Sequence, residues 1–412
     1  MPDWSYQTIF RPLLFRLSGR AARDFTLFAM GAVSKLPGGS LLIRTLGHME
    51  SYPGLKSSLS GIAVKYSVGV SGSLDIHGFA PRAVSQFGLG FMEVGPITLE
   101  PIVCDKAIQK DVKREAIWYP ERYTNDGVHA IARRLAQRAD YPLPLMVRTR
   151  HLPGSSPIEA AAQQQEMLAM LLPYASGLYL DVLDSAWELH EAVICGEEIM
   201  HAARALQPEL PIFFYIPLDC PQPVLQELMI KLNFSMLQGL VIGEAMHTEQ
   251  GDEIGKAGKA PSLMLLSLIK DSPRFEGKLI VTAGIHEPLD ALELMRAGAD
   301  YVQLHSGLVF SGPGLPKRIN EAILHERIQA LEDRDLSGRP ELPKQLSFWG
   351  SWGWMYILGL SMIFGGILAL IVAATSVVLP YDIEFLGIGS AIINSMNNKL
   401  LPFMSRSPWP AR

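Results

Sequence analysis

The chain has 412 residues, 48% of them hydrophobic and 19% charged, with a formal net charge of -5. That is enough apolar material for a large core, and the charge gives no footprint for a nucleic-acid partner. Three cysteines, Cys104, Cys195 and Cys220, are odd in number and far apart, which argues for a reduced, intracellular protein without a disulfide framework or a metal knuckle.

Residues 1–50 mix Phe10, Leu13, Leu14, Phe15, Phe25 and Phe28 with Arg11, Arg16, Arg20 and Arg23. This composition suits amphipathic helices on an anionic membrane surface, and equally helices packed on a neighbouring domain. The uncharged run Phe25 to Ser34 is too short to span a bilayer, and no cleavage site follows it, so a signal peptide is not expected.

From residue 51 to 334, strand and helix patterns alternate. Strands are predicted at 67–72, 90–95, 144–149, 177–182, 211–216, 238–243, 278–283 and 300–304, and helices at 127–138, 157–173, 187–205, 222–232 and 261–270. Eight alternations of this length predict an α/β fold, a closed (β/α)8 TIM barrel. Lys278 to Pro313 is its most informative stretch. A short apolar strand ends at Ala283-Gly284-Ile285, a helix follows over Pro288 to Arg296, and a second strand ends at His305-Ser306-Gly307. Loops after strands seven and eight of such a barrel commonly hold a phosphate with backbone amides. Ala283, Gly284, His305, Ser306 and Gly307 are therefore candidate phosphate contacts. A plain βαβ unit without a ligand gives the same pattern.

Residues 335–347 are a Pro-rich, charged linker. No charged residue occurs between Lys344 and Asp382, and Trp354 to Leu379 is a 26-residue, mostly apolar run. It is long enough to cross a hydrocarbon layer of about 30 Å, and Trp349, Trp352, Trp354 and Tyr356 suit its interfacial belt. A C-terminal transmembrane helix is predicted within 348–380, followed by a tail over 381–412, with the barrel on the cytoplasmic side. Ser361, Gly365, Ala369 and Ala373 recur every fourth residue. Such a small-residue stripe allows contact with another transmembrane helix, or belongs to a span that faces lipid.

Several segments together resemble the class 2, quinone-linked dihydroorotate dehydrogenases over residues 6 to about 325. Tyr6 to Met30 is similar to that family's paired N-terminal helices, which form a quinone tunnel at the membrane. Val68 to Gly78 (VGVSGSLDIHG) resembles its motif GLAAGLDKxG, Gly88 to Thr98 (GLGFMEVGPIT) its GFGxxEIGTVT, and Leu210 to Asp219 (LPIFFYIPLD) its VPxxVKIAPD. Lys278 to Pro313 matches the segment that holds the FMN phosphate. The resemblance implies FMN as cofactor, quinone and membrane lipid as partners, and cofactor contacts at Ser71, Gly72 and Gly255 besides the phosphate loops. It does not extend to the C-terminal span.

The departures bear on chemistry. The family's two flavin-contacting lysines fall at Ile76 and Tyr215, and asparagines that hold orotate fall at Tyr119, Asp181 and Glu244. The basic serine falls at Asp184, with Ser185 one position away. Arg23 stands where the family has a tunnel histidine. Lost cations and gained acids make the expected pocket five formal charges more negative, and uncompensated like charges in a dry pocket are costly. Asp184 is the candidate general base. Asp75, Asp181, Asp184, Asp219 and Glu244 also suit helix caps, and no compact spacing among them marks a metal site. His77 and His305 suit loop or core positions as well as catalysis. Three functional expectations follow: a divergent working dehydrogenase, an FMN oxidoreductase for a neutral or cationic molecule, or a non-catalytic binding or assembly protein with a degenerate substrate site.

Overall fold

In the computed structural model, the described residues are 6–36, 53–77, 80–121, 123–137 and 142–332, with the isolated positions 39 and 43. The expected span at 348–380 and the stripe Ser361, Gly365, Ala369 and Ala373 lie outside them. Among the described residues, no helix is long and apolar enough to cross a membrane.

Eight strands close into a parallel barrel. They are β1 (Val68–Val70), β2 (Phe91–Ile97), β3 (Leu145–Arg150), β4 (Gly177–Asp181), β5 (Ile212–Ile216), β6 (Gly239–Ile242), β7 (Lys278–Val281) and β8 (Tyr301–Leu304). Each pairs with its sequence neighbours, and β8 returns to β1 with Val302 opposite Val68 and Leu304 opposite Val70. The ring is the one expected from alternation of buried apolar runs with helices, and the strand bounds lie within two residues of those predicted.

Side chains alternate across each strand, so every second residue enters the barrel. Phe91, Met146, Tyr179, Phe213, Val241, Ile280 and Tyr301 form the interior cluster. The intervening Met92, Leu145, Val147, Leu178, Leu180, Phe214 and Ile242 join the outer core beneath the helices. A hairpin of Ser57–Leu59 and Ile62–Val64 adds Leu59 and Val64 to the interior cluster.

The outer helices include α1 (Gly19–Lys35), α2 (Gly127–Gln137), α3 (Pro157–Leu171), α4 (Leu189–Leu206), α5 (Gln222–Lys231), α6 (Lys259–Lys270), α7 (Pro288–Arg296), α8 (Ser306–Ser311) and α9 (Leu315–Glu332). Helix α3 starts at a capping box, Ser156 with Glu159, as its Ser-Pro-x-Glu sequence predicts.

Besides the 57–64 hairpin, a small sheet escaped the sequence reading. Residues 109–111, 116–119, 246–248 and 251–255 form a four-stranded antiparallel sheet, built from the insertions after β2 and β6. These strands are three to five residues long; 109–111 and 246–248 are partly exposed and polar, and the one buried apolar run, Ala116-Ile117-Trp118-Tyr119, is too short and too far from a helical repeat to stand out.

The N-terminal segment packs on the barrel. Tyr6 and Gln7 donate to the carbonyls of Val309 and Phe310 at 2.5 and 3.0 Å, and Phe15 meets Phe310 edge to face at 5.5 Å. Phe25 and Phe28 on α1 remain exposed.

Candidate functional site

Continuing the inward register two residues past the apolar layer puts Glu93, Arg148, Asp181, Tyr215, Thr282 and Gln303 at the strand ends, all buried. In a (β/α)8 barrel this C-terminal face is where active sites sit. The layer is polar because it is the floor of the mouth.

The expected excess of uncompensated acid is not found, and the correction has a clear cause. Arg150, beside Asp181 in the β3–β4 register, pairs with Asp181 at 2.6 Å and Asp184 at 3.2 Å, donates to the Leu183 carbonyl, and lies over Tyr123 at 4.2 Å. Asp184 also meets His151 at 3.1 Å and accepts from the Ala186 amide. These donors, led by the His151 hydrogen bond, hold the Asp184 carboxyl well below the usual range. So deep an acid is a weak proton acceptor; its geometry is that of an ion-pair anchor.

Glu93 and Arg148 make a second buried pair, Oε1 to Nε at 3.3 Å. Burial pushes the Glu93 carboxyl up to about 7, against the lowering effect of Arg148. The Arg148 guanidinium lies over the Tyr215 ring at 4.4 Å. So Arg148 brings a cation to the mouth where Tyr215 replaces an expected lysine.

Glu244 belongs to a third group. Its Oε2 is 2.8 Å from His305 Nδ1, and His305 Nε2 is 2.8 Å from the Tyr119 hydroxyl. Burial alone would raise the Glu244 carboxyl, but His305, Arg148 and the Ser73 hydroxyl hold it down at about 2. Burial pushes the Tyr119 phenol up to about 12, against a lowering effect from Arg23 on α1. Glu244, Tyr119, Arg148, Arg23, Ile76 and Tyr215 all line one cavity of about 70 Å³ at the mouth.

The other expected site residues divide by location. Asp75 accepts from the Ala80 amide at 2.9 Å, just before the short helix Pro81–Val84, and Asp219 accepts from the His247 amide. These are local structural roles for two of the acids. Ser71 accepts from the Ser73 amide at the end of β1, and Gly72 packs so closely on the Gly95 backbone that a Cβ would overlap it. Gly255 closes the small sheet opposite Ala116.

Ala283, Gly284, Ser306 and Gly307 come together as the sequence suggests. Gly284 has φ +76, and a Cβ there would overlap the Lys259 backbone. A Cβ on Gly307 would overlap the Ile285 carbonyl, and one on Gly258 would touch Ala283. Three chain segments thus approach as bare backbone. Ala283, Gly284, Ile285, Ser306 and Gly307 are buried, and among the described residues no protein acceptor takes a hydrogen bond from their amides. Buried amides demand a partner, and a convergent set of them suits an anion. The phosphate end of a flavin nucleotide fits this cup. The His305 side chain hydrogen-bonds Glu244 and Tyr119, which leaves its part in the cup to its buried backbone amide, likewise without a protein acceptor among the described residues.

Sequence reasoning missed Glu93, Arg148, Arg150 and Gln303. A signal was present, because strands buried on both faces should be continuously apolar, and the run Leu145-Met146-Val147-Arg148-Thr149-Arg150 breaks that rule twice on one face.

The fold and cup define a (β/α)8 barrel with a pair of amide-lined loops beside a mouth of buried ion pairs. No family model matches the chain. Curated relatives do. The chain is 26% identical over 361 residues to a dihydroorotate dehydrogenase (quinone) of Chloroflexus aurantiacus, covering 79% of this chain and 98% of that one. Proteins of the same name from Deinococcus deserti and Novosphingobium aromaticivorans are each 25% identical, over 81% and 76% of this chain and 99% and 92% of theirs. Among solved structures, dihydroorotate dehydrogenase from Eimeria tenella in complex with ferulenol has a TM-score of 0.61 at 17% identity, covering 78% of this chain and 96% of that one. That likeness concerns the fold.

Proposed function

We propose that this chain is a flavin-binding barrel of dihydroorotate dehydrogenase descent whose mouth is not suited to efficient oxidation of dihydroorotate. The observation that carries the reading is the buried line Glu244–His305–Tyr119. Two of its members stand where the resemblance expects neutral asparagines that hold a carboxylate substrate. A substrate carboxylate entering there would find an acceptor, Glu244, held at about 2, and a Tyr119 hydroxyl already engaged by His305, in place of two free amide donors; a carboxylate without donors in a poorly solvated pocket is poorly held. Arg148 offers an opposite charge in the same cavity, so the mouth remains a polar binding site with altered preference.

The amides of Ala283, Gly284, Ile285, Ser306 and Gly307 would hold the FMN phosphate, and Arg148 and Tyr215 would stand at the mouth beside the ring. Bound FMN would supply reversible acceptance of electrons from a substrate, with quinone as their destination by analogy with the named relatives. Membrane attachment through 348–380, with the barrel on the cytoplasmic side, is part of the same reading and rests on the apolar run. A second span on the Ser361, Gly365, Ala369 and Ala373 stripe is its optional partner; unchanged crosslinked oligomer in membranes carrying Gly365→Leu would remove that part.

Full-length protein purified in mild detergent, supplied with FMN and then with dihydroorotate under anaerobic conditions, tests the function by its visible absorbance. Retained flavin that dihydroorotate does not bleach is the expected result. Rapid bleaching would overturn the claim about the mouth, and protein that takes up no FMN would overturn flavin binding.

A further inference from the structure

Behind the amide cup stands a side-chain line that the barrel's packing does not require. His286 is fully buried. Its Nε2 lies 2.9 Å from the Ser306 hydroxyl and its Nδ1 3.1 Å from Glu115 Oε2, while its ring stacks on Phe310 at 5.8 Å. Glu115 is only partly buried, its side chain 25% exposed, so the line runs from the cup toward solvent.

We propose that His286 takes up a proton when a phosphate monoester enters the cup, and that this turns the Ser306 hydroxyl from an acceptor-facing to a donating orientation toward the phosphate. The inference rests on the cup being the flavin-phosphate site.

Hydrogen counting carries the argument. A neutral imidazole has one N–H and one lone pair. An ionised Glu115 can only accept, so Nδ1 keeps the hydrogen and Nε2 accepts from Ser306. The serine then spends its only hydrogen on the ring and turns lone pairs to the cup, where phosphate oxygens would be repelled. A protonated ring donates from Nε2 to the Ser306 oxygen instead. The hydroxyl hydrogen is released to the phosphate, and a positive charge stands one residue behind it. No covalent bond changes; one proton comes from solvent.

The charged neighbours favour a ring that titrates. Burial lowers the pKa of His286, while Glu115 and Asp290 raise it and Lys256 lowers it. Asp290 is occupied by the His286 amide and by Lys259, and Lys256 lies 3.9 Å from Glu115 and 3.1 Å from Glu287. The ring is therefore inclined to neutrality without an anion, and an arriving dianion favours its charged form. His286 acts through Ser306 and is a positioning residue.

The experiment is calorimetric titration of full-length protein with FMN and with riboflavin, in buffers of different ionisation enthalpy near pH 7.5, where a phosphate monoester is mostly dianionic. Wild type is expected to take up about half a proton or more per FMN and none per riboflavin. Its FMN dissociation constant should rise by up to about tenfold per pH unit across the titration of the ring. His286→Gln, whose amide donates permanently to Ser306, should retain FMN affinity within a few-fold but lose the uptake. His286→Leu should weaken FMN at least about tenfold and leave riboflavin unchanged. FMN binding without proton uptake in wild type, or uptake that persists in His286→Gln, overturns the inference while leaving flavin binding intact. Failure of wild type to bind either flavin overturns the flavin reading first, and this inference with it.

Discussion

Replacing Arg150 with methionine removes the cation that serves two carboxylates while keeping most of the side-chain volume. Asp181 is 1% exposed and, among the described residues, has only Arg150 as a charged partner within ion-pair distance, 2.6 Å away. Breaking such a buried pair from one side costs about 3–5 kcal/mol, because the remaining charge stays desolvated. Asp184 loses less: its side chain is 21% exposed and keeps His151 and the Ala186 amide. The sum should therefore stay near the cost of one orphaned charge, about 4 kcal/mol. That corresponds to roughly 8–15 °C in unfolding temperature for a barrel of this size. Calorimetry and urea titration of Arg150→Met measure it, and Arg150→Met combined with Asp181→Leu should recover most of the loss, since an apolar pair replaces an ion pair at little net cost. A single-variant loss below about 1 kcal/mol would refute the view that Arg150 neutralises the mouth.

Glu93 gives a pH signature. Its folded pKa of about 7 lies above the ordinary 4.5, so its contribution is fully present below about 4.5 and is lost as pH rises through 7, a swing on the order of 3 kcal/mol. In urea unfolding, Glu93→Gln should gain on wild type between pH 5 and pH 8, over a constant offset from the lost Arg148 partner; a flat difference would sink the assignment. Gly284→Ala must strain a φ of +76 and push into the Lys259 backbone, so it should lose more than about 2 kcal/mol and, if the cup takes FMN as proposed, its uptake of added FMN. Gly61→Ala, at φ +91 with open space around the added carbon, is the control and should lose only about 1 kcal/mol of backbone strain in thermal unfolding. Equal losses at the two sites would show that the cup is not tightly closed.

How much the sequence disclosed follows from what each segment must do. Barrel strands are short apolar runs between amphipathic helices, so all eight were placed from periodicity. Ala283, Gly284, Ser306 and Gly307 were legible because backbone-to-backbone contact requires small residues. The mouth was legible only by half. Asp181, Asp184 and Glu244 stood out as acids in unexpected places, but their partners Arg150, His151 and His305 come from other strands, and pairing across a barrel cannot be read from spacing along a chain. Tyr119 lies on a strand of a sheet with no periodic signature. Counting acids without their partners predicted a pocket far more negative than the folded one.

The way Tyr6 and Gln7 hang on the carbonyls of Val309 and Phe310 has a practical corollary for handling the protein. Phe310 is also the plate against which His286 rests, so the first helical turn and the anion cup share one six-residue support. A preparation clipped ahead of residue 18, or one bearing a bulky fusion at its start, would lose that brace. Low pigment in such material would measure the damage to the brace and would say nothing about what the intact chain can hold.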